Sequence, residues 1–254
     1  MEDLSGQYQN VGVNGLTTTL QLHTAEADAI IMPEPARVTM AALQAGVDVT
    51  DLSLHLQLGW QPPATLAWVE LHDVSAALFG ARLTSPGLRF DGARRESALV
   101  VNVEHLDLQQ LLQVEQHKGL EGTGILDGVI PVSLTSAGVK VQDGRLEARP
   151  PGGVIRYQPA QDTSQAVAAW DAQGYGVLQA LANLHYHGLT IGVQYETDGT
   201  LHLTAQAAGQ NPDWQQGRPI DFNLTVQENI PVLLQSLQII QGIEQGLEER
   251  LQRR

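Results

Sequence analysis

The sequence predicts a mainly β protein: an antiparallel sheet with a few short helices and an amphipathic helix at the C-terminal end. Three observations carry this. Apolar and polar residues alternate with period two along much of the chain, which gives each strand one apolar and one polar face. The alternation is strict, whereas parallel sheets covered by helices on both faces show continuous apolar runs. Asn14-Gly15, Asp91-Gly92, Asp127-Gly128, Asp143-Gly144 and Asp198-Gly199 suit the positive-φ positions of tight hairpins.

The elements follow in order. Leu16, Thr18, Leu20 and Leu22 share a strand face opposite Thr17, Thr19, Gln21 and His23. Leu52, Leu54, Leu56 and Leu58 repeat the pattern against Ser53, His55 and Gln57, as do Leu99, Val101 and Val103. Leu108, Leu111 and Leu112 then recur at helical spacing, so a helix is expected over 107–116, with Asp107 as N-cap and Gly119 past its end. Pro150-Pro151-Gly152-Gly153 forbids regular ladder pairing and marks a corner or bulge. Two short helices are expected over 163–170 and 177–184. Strands return with Leu189, Ile191, Val193 and Tyr195, with Leu201, Leu203, Ala205 and Ala207, and with Ile220, Phe222, Leu224 and Val226. The terminal helix starts at Pro231 behind an Asn229 cap, and Leu233, Leu237, Ile240, Ile243, Leu247 and Leu251 line one face. Its other face is rich in Gln and Glu, so it suits a helix lying across the mouth of a sheet. The organisation expected is strands over 1–98, a further strand region with short helices over 99–230, and the helix over 231–254.

Composition narrows the function. With 28 acidic and 14 basic residues the net charge is −14, a field that repels nucleic-acid phosphates, so no nucleic-acid partner is expected. There is no cysteine, which removes disulfides, thiolate metal sites and cysteine nucleophiles. No apolar run approaches the roughly 18–20 residues a membrane-spanning helix needs. Met1-Glu2-Asp3-Leu4 lacks the apolar core of a signal peptide, and the start reads as that of a fragment whose targeting segment lies upstream.

Chemistry is sparse. The chain holds no GxSxG elbow, HExxH pair, phosphate-cradling glycine loop or dinucleotide fingerprint, so no catalytic residue, metal ligand or cofactor is expected. His185 and His187, two apart at a strand start, aim to one side but have no third ligand nearby in sequence and read as solvent-facing. Glu121, Asp127 and Asp143 could supply a carboxylate pair, yet the last two open Asp-Gly dipeptides and suit turns. The apolar strand faces admit two readings, a closed dry core or a groove for an acyl chain. Alternation does not separate them.

The segment from Gly119 to Pro131, GLEGTGILDGVIP, and that from Asp143 to Tyr157, DGRLEARPPGGVIRY, resemble the C-terminal part of the YdbH family. So do Asn211-Pro-Asp-Trp214, the run from Gly217 to Val226 and Glu228-Asn-Ile-Pro231. The likeness is one of motif from about residue 99 to 231 and one of β alternation before it. It implies kinship with AsmA-like proteins such as TamB, inner-membrane-anchored periplasmic bridges of Gram-negative bacteria. In these a sheet curls into a U-shaped groove that carries phospholipid acyl chains towards the outer membrane. It further implies two partners, an outer-membrane lipoprotein of the YnbE kind and a periplasmic chaperone of the YdbL kind. An older label for the domain, dicarboxylate transport, fits an acidic chain poorly, since Arg82, Arg89, Arg94 and Arg95 form its one local basic cluster. A closed β scaffold for envelope assembly, without a lipid ligand, is the structural alternative.

On that resemblance the lipid-groove lining is expected at Leu16, Leu20, Leu22, Leu52, Leu54, Leu56, Leu58, Val101, Val103, Leu189, Ile191, Val193, Leu201, Leu203, Ile220, Phe222, Leu224 and Val226. The last strand, with Pro219, Asp221, Asn223, Thr225 and Gln227, is the expected free edge for the lipoprotein partner.

Overall fold

The computed structural model describes residues 4–8, 11–24, 29–44, 48–60, 68–91, 96–114, 119–158 and 172–229. The helices expected over 163–170 and 231–254 lie outside them. The elements run β1 (Leu4–Tyr8), β2 (Val11–Thr18), β3 (His23–Thr24), β4 (Ile30–Ile31), β5 (Ala36–Gln44), β6 (Asp48–Trp60), β7 (Trp68–Leu78), β8 (Ala81–Asp91), β9 (Ser97–Asp107), α1 (Leu108–Val114), β10 (Leu120–Gly122), β11 (Ile125–Thr135), β12 (Gly138–Ala148), β13 (Gly153–Tyr157), α2 (Ala172–Leu181), β14 (Leu184–Tyr195), β15 (Thr200–Gln210) and β16 (Pro219–Asn229). All sixteen strands form one antiparallel sheet, not closed into a barrel.

Its long strands form a meander in chain order, and the short ones prolong them. β13 continues β12 along the same side of β14, and β10 precedes β11 in the same way. Both breaks fall at one level. There Thr123 N donates to Val154 O (2.9 Å) and Arg149 N to Ile125 O (2.8 Å), so the ladder resumes on either side of the corner that the Pro-Pro-Gly-Gly run predicts.

α1 starts as expected: Asp107 Oδ1 accepts from Gln109 N at 2.8 Å, the bond that satisfies an open N–H of the first turn. α2 falls earlier than 177–184, because Leu184 already opens β14. Three of the five Asx-Gly dipeptides are not hairpin turns. Asn14-Gly15, Asp127-Gly128 and Asp143-Gly144 lie inside β2, β11 and β12. Gly15 (φ +65) and Asp143 (φ +56) sit at register shifts, and a bulge demands the same left-handed backbone as a hairpin turn. Asp198-Gly199 is a turn, with Gly199 at φ +90 and Asp198 Oδ1 accepting from Thr200 N. Asp91 closes β8, and Gly92 lies outside the described residues. The strand containing Leu16 stops at Thr18, so Leu20 and Leu22 do not continue its face; they are 46% and 53% exposed.

Bulges cluster in two lines that cross the sheet. One passes through Gly15, Asp51, His105 and the break between β12 and β13; the other through Asp73, Gly87 and Asp143. Each bends its strand, and lined up they curl the sheet. Gly87 (φ +128) is needed for close approach as well, since a Cβ there would overlap the Leu71 carbonyl oxygen.

The buried core lies under the first of these lines. Leu126 and Leu184 are fully buried, with Leu106, Leu108, Tyr186, Leu189 and Ala207 around them. Tyr186 donates its hydroxyl to Thr123 O at 2.7 Å, tying β14 to the break between β10 and β11. Burial pushes its phenol up from 10.0 to about 12, because the phenolate is disfavoured away from water. The folded state therefore holds this proton more tightly than the unfolded one. Stability from this group is complete below pH 10 and fades as pH rises towards 12. We predict that Tyr186→Phe lowers stability at neutral pH by about 1 kcal/mol through the lost hydrogen bond. Urea unfolding at pH 8 and pH 11 would then show a smaller alkaline loss in the variant than in the wild type.

Candidate functional site

The sheet's defining feature is an apolar face carried from strand to strand. Directly opposed residues share a face, so the register gives rows. In one, Val38 faces Leu54, Val74 faces Ser85, Val101 faces Ile130, and Val193 faces Leu203, which faces Val226. Its gaps close by register: Ser53 faces Ser75, placing Leu54 by Val74, and Leu83 faces Val103, placing Ser85 by Val101. A second row holds Ala36, Leu56, Leu71 and Leu88, then Leu99, Val132, Val141, Tyr195 and Leu201. A third joins Leu83, Val103, Gly128, Leu146, Ile191, Ala205 and Leu224. A fourth, towards the helices, holds Leu106 and Leu126, with Leu189, Ala207 and Phe222.

Most residues singled out from sequence share this face, including Leu52 opposite Met40 and, beyond the fourth row, Ile220 opposite Gly209. Thr17 opposite Thr39 and Thr18 opposite Val38 set Leu16 beside Met40. Leu58, opposite Val69, keeps the phase of Leu54 and Leu56. Leu224 is 44% exposed, standing on β16, which among the described residues pairs β15 alone. The residues of β16 named as its outer edge, Pro219, Asp221, Asn223, Thr225 and Gln227, are all exposed. Sequence reading missed Leu71, Val74, Leu83 and Leu88. Leu71 and Val74 stand three apart, out of period, because Asp73 (φ +51) is the extra residue of a bulge. An Asp between apolar residues at a break in alternation is the signal that could have found them.

The opposite face is polar and tied by charge. Arg149 Nε donates to Asp127 Oδ2, His105 N donates to Asp127 Oδ1 at 2.8 Å, and Arg149 Nη1 stands 2.6 Å from His105 Nε2. This cluster clamps β9, β11 and β12 across the first line of bulges. The Arg149 guanidinium holds the Asp127 carboxyl below its usual range. Arg89 pairs with Glu70 at 2.7 Å and lies 5.6 Å over the Trp68 ring, while Arg145 pairs with Glu147. Arg94 and Arg95 lie outside the described residues. Arg89, Arg145 and Arg149 are thus each engaged by one of the protein's own carboxylates. A recess of about 340 Å³ on β12, β14 and β15 is lined by Asp143, Arg145, Thr190, Gln194, His202 and Gln206, with Val193 also at its wall.

His185 and His187 are exposed, and His185 Nε2 stands 3.2 Å from Asn183 Oδ1. Among the described residues no group of three or more His, Asp or Glu is arranged to hold a metal, and no helix is long and apolar enough to cross a membrane.

A family model for YdbH-like proteins, described as intermembrane phospholipid transport protein YdbH, matches residues 1–252. The chain belongs to this family. The match takes in the N-terminal third as well, where the sequence offered β alternation without motif. Comparison with curated proteins and with solved structures gives no match. Intermembrane phospholipid transport is the function that the family's description names. An apolar face in an open sheet suits this YdbH-like chain, since acyl chains are bound by the non-directional hydrophobic effect and need no motif.

The depressed Asp127 carboxyl contributes stability above its ordinary value of 3.8, and this is lost as pH falls through its lower folded value. We predict that Asp127→Asn costs about 1–2 kcal/mol at pH 7. In acid titration followed by circular dichroism the variant's early loss of stability below pH 4 should be shallower than that of the wild type.

Proposed function

We propose that this chain carries phospholipid across the periplasm, between inner and outer membrane, with acyl chains lying on the apolar face and headgroups held outside it. The observation that carries this reading is a pair of mainly apolar rows in an unclosed sheet, one running from β5 to β16 with Ser85 as its polar member and one from β5 to β15, where Leu201 faces Glu228. A packed scaffold would bury such rows throughout; here Ala36, Ser85 and Val141 are buried, while Leu54, Leu56, Leu71, Val101, Val193 and Leu203 keep partial access to solvent. The lining we propose includes Leu16, the four leucines of β6, and Ile191, Val193, Leu201, Leu203, Leu224 and Val226.

The edge of β16 is the proposed docking site for an outer-membrane lipoprotein of the YnbE kind. An unpaired edge offers backbone N–H and C=O groups to an incoming strand, and strand addition there would prolong both the ladder and the rows ending at Val226 and Leu224. A YdbL-like chaperone is the second proposed partner.

Lipid extraction and native mass spectrometry of the purified chain test the reading. Phospholipid should co-purify with the wild type. Ile191→Asp places an uncompensated charge among apolar neighbours and should reduce bound lipid at least several-fold in protein that stays folded by circular dichroism. Wild-type protein free of lipid would favour the scaffold, and full loading of folded Ile191→Asp would place the lipid elsewhere. For the partner, proline at Asn223, Leu224 or Thr225 removes an N–H from the edge. At least one such variant should keep its fold and lose the lipoprotein in pull-down. Binding unchanged in every folded variant would mean that the partner docks by side chains.

A further inference from the structure

The apolar face is not uniform, and its burial changes sharply across the strands. On the row nearest α1 and α2, Leu106 is 6% exposed, Leu126 0%, Leu189 5% and Ala207 5%. Two rows away, Val101, Ile130, Val193 and Leu203 are only half-buried, although they belong to the same strands and the same face. The difference comes from what lies on top.

α1 leaves β9 at Asp107 and is held there, because Leu108 N donates to Gly124 O at 3.0 Å and Asp107 N to Phe79 O. Leu108 is buried, and Leu111 and Leu112 pack on the core. A Cβ at Gly122 would collide with both Leu108 and Leu112, so helix and strand are in direct contact. α2 is held from the other side. The Asn211 amide, 2% exposed, donates to Gln179 O at 2.7 Å, and Leu181 packs on the same core. Hydrogen bonds from three strand ends and an interlocked leucine contact make this roof a fixed one.

We infer that α1 and α2 reserve one side of the groove as permanent core, and that phospholipid acyl chains run along the strip, unroofed among the described residues, formed by the rows of Val101–Leu203 and Leu99–Leu201. The inference rests on the lipid-carrying reading above and specifies where on the face the chains lie. The row of Leu99–Leu201 spans nine strands and ends opposite Glu228, and the row of Val101–Leu203 spans ten, β5 to β9, β11, β12 and β14 to β16, with Ser85 as its polar member. Nine spacings of about 4.8 Å make the longer row about 43 Å long. Two rows on one face lie about 7 Å apart along a strand, which suits acyl chains lying side by side rather than a stacked bilayer fragment. The roofed rows offer no such room, since Leu126 and Leu184 have no exposed surface.

Photo-crosslinking of the wild-type chain tests this without a substitution. The protein is loaded with phosphatidylethanolamine carrying a diazirine in its acyl chain, irradiated, digested and mapped by mass spectrometry. Adducts are expected in 97–103, 129–133, 191–195 and 201–205, at least tenfold above those in 106–112, 122–126 and 178–189. Equal labelling of both sets, or a preference for the second, would overturn the strip while leaving lipid transport standing. No adduct in any peptide would overturn the strip and the transport reading together.

Discussion

Register is the constraint on which the rest of this structure depends. Side chains alternate with period two, so a slip of one residue in any strand would turn its whole apolar set to the wrong face. A long sheet that also bends by bulges faces this danger at every bulge, because each inserts one residue. Here the insertions are matched. The extra residue at Asp73 in β7 is answered beside it at Gly87 in β8, so that Leu71 still faces Leu88 and Val74 still faces Ser85. Against β6 the same bulge lets Leu54 and Leu56 keep strict alternation while Val74 and Leu71 stand three apart. Curvature and a continuous apolar face are thus obtained together.

The break between β12 and β13 shows how that curvature is fixed in place. Inside, Tyr186 hydrogen-bonds Thr123 O beneath Gly124 (φ +130), where a Cβ would strike the Tyr186 hydroxyl. Outside, Asp127 collects Arg149 and the His105 amide. One clamp is dry and uncharged, the other half-exposed and ionic. The ionic one stands in partial contact with water, where screening limits its worth, and it serves chiefly to satisfy a backbone N–H freed by the bulge at His105 (φ +63).

Much of this was legible in the sequence because a one-sided sheet writes itself as alternation. The strands of Leu52–Leu58, Leu189–Tyr195 and Ile220–Val226, the Asp107 cap and the Pro-Pro-Gly-Gly corner could all be read directly. Asx-Gly dipeptides could not be resolved, because a hairpin turn and a bulge ask the same backbone of the same residues. The turn between β7 and β8 shows the converse. It is made by Phe79 and Gly80 at φ +52 and +74, and Phe carries no turn signal, since its ring is held by packing on the core. The division of the face into roofed and open rows was illegible for a related reason. Leu126 and Leu203 are equivalent in pattern, and only the helices placed over the first distinguish them.

That division bears on how a lipid path must work energetically. Complete burial of a sixteen-carbon chain would gain about 13 kcal/mol at about 0.8 kcal/mol per CH₂, a depth from which release is slow. A half-open strip recovers only part of this, and on most strands each row offers an aliphatic side chain. Movement along it exchanges like for like, with no hydrogen bond to break and no charge to desolvate. Stability then has to come from elsewhere than the transport face. On the reading proposed above, core burial beneath α1 and α2 supplies it, so that the roofed rows keep the sheet folded while the open rows are left free to bind weakly.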